Sequence, residues 1–71
     1  MTKDIILGKI TYTLYTESEE EFYWGCWTNS NGDDHESSKA CSSELDAIET
    51  AEWNARVDYG YKYAKRGKGN A

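Results

Sequence analysis

The sequence predicts an α+β fold: a three-stranded antiparallel β-β-β meander with one C-terminal helix packed on one face. Three observations predict it. Residues 5–16 alternate between apolar and polar side chains, the period of a half-buried strand. Asn31-Gly32 is a strong short hairpin signal, because both residues tolerate positive φ. From Ser43 the apolar spacing lengthens to three and four residues, the period of an amphipathic helix.

The first strand is expected over "IILGKITYTLYT", residues 5–16. Ile6, Ile10, Tyr12 and Leu14 share one parity and are expected inward, while Gly8 suggests a bulge or a close backbone approach. "TESEEE", residues 16–21, reads as the first turn. "FYWGCWTN", residues 22–29, reads as a second strand with Phe22, Trp24 and Cys26 on one face and Tyr23 and Trp27 on the other. Both faces are apolar, so the strand is either central or carries a partner on one side.

A type I′ turn at Asn31-Gly32 would return the chain into a third strand over roughly residues 35–41. Ser43 and Asp46 resemble a capping box, and Glu44, Asp46 and Glu49 suit the positive end of a helix dipole. Leu45, Ile48, Ala51, Ala55 and Tyr59 form the expected apolar stripe, with Gly60 as the C′ stop. Residues 61–66 either extend the helix or add a short last strand. Residues 1–66 are expected to form one domain and 67–71 a flexible tail.

Seventy-one residues bury only about 60% of the surface of the unfolded chain, so aromatic burial must compensate for a thin core. Three Trp, six Tyr and one Phe provide it and argue against disorder. Residues 2–16 hold no apolar run longer than Ile5-Ile6-Leu7, which predicts a cytoplasmic protein with neither a signal peptide nor a membrane span. Cys26 and Cys41 fit no Cys-x-x-Cys pattern and are expected to be reduced thiols.

Charge is the strongest functional signal. The formal net charge is −5, but residues 17–52 carry eleven acids against Lys39, while five bases follow Asn54 against Asp58. The stretch "GDDHE", residues 32–36, holds metal-ligand types, yet consecutive strand residues alternate faces and do not converge on an ion. The glycine is also too early for a calcium loop. His35 could pair with Cys26 or Cys41 in nucleophilic catalysis, but no orienting third residue is identifiable. No enzyme, metal or cofactor is therefore expected. The basic aromatic segment "YGYKYAKRGK" offers a rival reading, a small nucleic-acid-binding regulator, although an acidic domain repels nucleic acid.

The leading expectation is an acidic surface built by Glu19, Glu20, Glu21, Asp33, Asp34, Glu36, Glu49 and Glu52. Such a surface would seek the basic, nucleic-acid-binding region of a partner protein, with no membrane and no direct contact to nucleic acid. The acidic runs "ESEEE" (17–21), "GDDHE" (32–36) and "SELDAIETAE" (43–52), in a short aromatic-rich chain, resemble the small phage proteins of the anti-CRISPR type. Several of those are DNA mimics, so the resemblance implies a non-enzymatic inhibitor of a CRISPR-Cas effector in the host cytoplasm.

Overall fold

The chain reverses first at Gly8-Lys9, inside the segment expected to be a single strand. Two strands result, β1 (Thr2–Leu7) and β2 (Ile10–Glu19), in a computed structural model that describes residues 1–64. Gly8 has φ +61°, the conformation that a two-residue II′ reversal requires at its first position. It is thus a turn residue and not the bulge that was one of two expectations; what approaches its backbone closely is a side chain, the Tyr59 hydroxyl, which occupies the space a Cβ would need. A two-residue loop also exchanges parity. Leu7 pairs with Ile10, Ile5 with Tyr12 and Lys3 with Leu14. Odd residues of β1 therefore share a face with even residues of β2. Ile6, expected inward, points to the other face and is exposed.

β2 continues to Glu19, through the residues expected to turn, and reverses over Glu20-Glu21 into β3 (Phe22–Asn29). Glu20 adopts φ +58°, which costs a residue with a Cβ about 1–2 kcal/mol. A hairpin does follow at Asn31-Gly32, but not with the expected type I′ turn, since only Gly32 of that pair has positive φ, +91°. Asn29 organises the loop instead. Its Oδ1 accepts the backbone N–H groups of Asn31 at 3.0 Å and Asp33 at 2.9 Å.

β4 is limited to Asp34–Glu36, where a strand over residues 35–41 was expected. The chain leaves the sheet edge after Ser37 and returns at Cys41, which exchanges backbone hydrogen bonds with Tyr23 at 2.9 and 2.8 Å. The antiparallel sheet has four strands in the order β1-β2-β3-β4, not three.

α1 (Glu44–Tyr59) begins as its cap predicts, with Ser43 Oγ accepting the Asp46 N–H at 3.1 Å. Its buried stripe is Ala47, Ile48, Ala51 and Ala55. Leu45, expected in that stripe, is exposed, and Ala47 takes its place. Gly60 does not stop the helix. It keeps φ −62° and leads into one π-helical turn, Gly60–Ala64. The expected domain limit at residue 66 and the tail over 67–71 lie outside the described residues.

The alanines have a cause in β3. A Cβ at Gly25 would stand 2.9 Å from Ala51 N and closer still to Ala47 O, so helix and strand backbones touch there. Around this contact Tyr12, Leu14, Trp27 and Ile48 fill the core, with the Tyr12 and Trp27 rings edge-to-face at 5.0 Å. The Tyr12 hydroxyl donates to Asp58 Oδ2 at 2.8 Å, and Lys62 pairs with Asp58 Oδ1 at 3.1 Å. Burial, and then Asp58, pushes the Tyr12 hydroxyl well above its ordinary range.

Candidate functional site on the open sheet face

α1 covers one face of the sheet and leaves the other open. Strand alternation and the pairing register decide what that open face carries. Its carboxylates are Asp4 from β1, Glu17 and Glu19 from β2, and Asp34 and Glu36 from β4. Tyr15, Phe22 and Trp24 are interleaved with them, Trp24 directly opposite Glu17 and Phe22 opposite Glu19. Lys3 is the one lysine or arginine in the four strands, and it lies on the helix side, 3.1 Å from Glu52. The open face thus gathers five acids with no strand-borne base among them.

Two side chains of this face, the buried Cys26 and the half-buried Tyr15, lie in the field of acids from separate strands. Cys26 belongs to this face yet is only 1% exposed. Burial, then the carboxylates of Glu17 and Glu36, pushes its thiol from 9.0 up to about 11. Tyr15, its cross-strand neighbour, is raised by burial and by the fields of Cys26, Glu17 and Asp34. β2 and β4 therefore focus negative potential on the ground between them. From Phe22 to Thr28, β3 carries this surface over about 20 Å. Beyond Thr16 and Gly25 the β2–β3 ribbon extends past the ends of β1 and β4, with the exposed Glu20 and Glu21 at its tip.

The expected acidic residues do not all meet. Glu19, Asp34 and Glu36 share the open face, and Glu20 and Glu21 lie at its end. Asp33 sits in the β3–β4 loop, 3.6 Å from Lys62. Glu52 lies on α1, where Arg56 and then Lys3 hold its carboxyl below the usual range. Glu49 lines a groove between α1 and residues 37–42. A helix across the back of the sheet sends its acids away from the front.

Asp4, Glu17 and the three aromatics were missed as site residues. The signal for Phe22 and Trp24 was present in their shared parity, while Asp4 required the Gly8 reversal to be seen. β3 proves to be central, between β2 and β4, with α1 on one of its two faces.

The Asp33–Glu36 cluster is divided by alternation. Asp34 and Glu36 face forward, while His35 is on the helix side, its ring stacked on Trp27 at 5.9 Å. Cys26 and His35 therefore occupy opposite faces and form no nucleophile–base pair. Both cysteines are free and buried. Among the described residues, no three His, Cys, Asp or Glu side chains are grouped to hold a metal ion, and no helix is long and apolar enough to cross a membrane. Comparison with protein-family models, curated proteins and solved structures gives no match.

Proposed function

We propose that the chain is a non-enzymatic acidic inhibitor whose open sheet face occupies the basic, nucleic-acid-reading surface of a protein, as a DNA mimic does. The observation that carries this reading is the register that sets Asp4, Glu17, Glu19, Asp34 and Glu36 on the one sheet face that α1 leaves open. Carboxylates fixed on a rigid sheet offer charge without a loop-ordering cost, and aromatic rings beside them suit the guanidinium groups of a basic surface. A CRISPR-Cas effector in a host cytoplasm is the partner class this reading favours.

The rival use of the basic C-terminal segment gains less support. Arg56 is paired with Glu52, and Lys62 with Asp58 and Asp33. Lys65, Arg66 and Lys68 lie outside the described residues.

A gel-shift experiment with DNA, an effector and the purified chain tests the proposal. The chain alone should shift no DNA, yet should release DNA from the effector. Release should weaken steeply with salt, because charges more than about 10 Å apart are screened at 0.1 M. Asp34→Lys with Glu36→Lys should abolish release, mainly by slowing association. A direct shift of DNA by the chain alone at physiological salt would sink the mimicry reading.

A further inference from the structure

The protruding part of the β2–β3 ribbon repeats a two-residue unit. On the open face Glu19 stands opposite Phe22, and Glu17 stands opposite Trp24. Each unit is one carboxylate beside one aromatic ring, on positions whose Cβ atoms lie about 4.5–5.5 Å apart. The second unit follows the first two residues along each strand, about 6.8 Å away. Both glutamates are exposed, Phe22 is 43% exposed and Trp24 is half-buried. β1 pairs with β2 no further than Tyr15, and β4 pairs with β3 no further than Cys26, so the two units stand clear of both edge strands.

A nucleotide of an unstacked single strand has the same two parts, one negative charge and one flat ring that offers its π-face. A duplex presents something else. Its rings are stacked on one another, and a partner meets backbone charges and base edges. Charge spacing makes the same distinction. One strand of a duplex carries a charge about every 3.4 Å of axis, and the two together about every 1.7 Å. The ribbon carries one about every 6.8 Å. Unstacking separates neighbouring bases, which moves the charges of a single strand apart toward the wider spacing.

We propose that this ribbon copies two successive nucleotides of a single strand, and that the surface it enters is a single-strand channel, a basic groove with aromatic platforms of its own. The inference rests on the inhibitor reading above and narrows the partner from a surface that reads DNA to one that holds an unpaired strand. Basic side chains of the channel meet Glu17 and Glu19 as they meet phosphates, and its rings meet Phe22 and Trp24 as they meet bases. A CRISPR-Cas effector has such a groove for its displaced strand. The shape agrees, because a two-stranded ribbon is narrower than the four-stranded body behind it. Glu20 and Glu21 at the tip lead with charge, which speeds entry to a basic groove. Tyr15 comes next along β2, but it stands opposite Cys26, and the acid of that row is Glu36, two strands away. The regular repeat is therefore two units long.

Anisotropy competition on the effector used for the gel shift tests the assignment, with labelled oligo(dT) and a labelled duplex of equal length as the two probes. The chain should displace oligo(dT) at a concentration about tenfold or more below that needed for the duplex. Phe22→Leu and Trp24→Leu keep apolar volume and lose the ring. Each should raise the concentration needed against oligo(dT) about tenfold, the worth of one stacked base, and change duplex displacement little. Trp24→Phe keeps a ring and should compete nearly as well as the parent, which a purely structural role for Trp24 does not require. Circular-dichroism melting checks each fold. Phe22 is exposed at the end of the ribbon, so Phe22→Leu decides the matter even where Trp24→Leu melts early. Displacement of the duplex as readily as oligo(dT), or folded leucine variants that compete as well as the parent, would overturn the single-strand assignment and leave the inhibitor reading standing. Displacement of neither probe would overturn both.

Discussion

On the helix side of the sheet, Gly25 admits the backbone of α1 so closely that no side chain fits between them. One strand position further on, at Cys26, the opposite side has no second layer among the described residues, yet the thiol is hidden. The same strands build both faces in alternation. The covered face is constrained by volume, because its neighbours are backbone and cannot yield. The open face is constrained by charge, because its carboxylates stand in water and interact through fields. Substitutions on the first should change stability, and substitutions on the second should change binding and titration.

The largest expected effect is at the contact itself. Gly25→Ala places a methyl group against Ala47 O and Ala51 N. It should cost about 3 kcal/mol, a large share of the roughly 4–10 kcal/mol available to a domain this size. Urea unfolding should show a strongly lowered midpoint. A variant as stable as the parent would mean that α1 does not rest on β3 as described.

Tyr12→Phe is the next largest. It keeps the buried ring and removes the donor to Asp58, which retains Lys62. The loss should be about 2 kcal/mol, since the bond is to a charged acceptor. The sign of its pH dependence follows from the raised hydroxyl pKa. The folded state holds the proton more tightly than the unfolded state, whose value is 10.0, so the contribution is complete below pH 10 and declines as pH rises above it. The phenylalanine variant should therefore show a shallower loss of stability in alkali than the parent. Equal alkaline slopes would remove Tyr12 from the account.

These two residues also show how far the fold could be read from the sequence. Tyr12 was legible as core because it sits in a strand with clean alternation, and the helix was legible from Ser43 to Tyr59 because cap and period agree. Gly8 was not, because a two-residue reversal inside an apolar run looks like a continuous strand, and missing it hid β1 and the position of Asp4. The stop at Gly60 failed for a related reason: glycine permits the αL cap but does not compel it, and Tyr63 and Lys62 gain partners in Asn31 and Asp33 by continuing the helix. The acids were visible as composition, but their separation into a sheet face, a hairpin tip and helix-borne pairs depends on register. Short-range patterns do not set register when the turns that control it are misread.

A gain is expected at the hairpin tip. Glu20 is held at φ +58°, where glycine carries no steric penalty. Glu20→Gly should stabilise the chain by about 0.5–1 kcal/mol, the relieved strain exceeding the added freedom of the unfolded chain. Thermal melting measures it. Because the tip lies on the uncovered ribbon, a gain there with no change at Gly25 would confirm that the two regions respond independently, while a loss would place the tip within the packed layer.

The smallest effect on stability is the most informative about the open face. Glu17→Gln and Glu36→Gln, each exposed, should change stability by less than about 0.5 kcal/mol. Both carboxylates, however, act on Cys26, whose thiol is pushed to about 11 by burial first and by these charges second. Removing either charge should lower that value, and removing both should lower it further, while burial keeps it above the ordinary 9.0. The Cys26 Cβ chemical shift, followed against pH in an isotope-labelled Cys41→Ser background, reads the titration directly. Asp33→Asn is the control, since Asp33 lies in the loop beside Lys62 and is not among the charges acting on the thiol. The linked stability has a defined sign: a raised thiol pKa favours the folded state below pH 9 and is lost as pH climbs through 11, so the double glutamine variant should be less sensitive over that interval. If all four proteins titrate alike, the acids of β2 and β4 do not share a field, and the open face is not the continuous negative surface that the proposed inhibitor requires. A fall with the two glutamine variants and none with Asp33→Asn would locate that field on the side of the sheet that the helix leaves open.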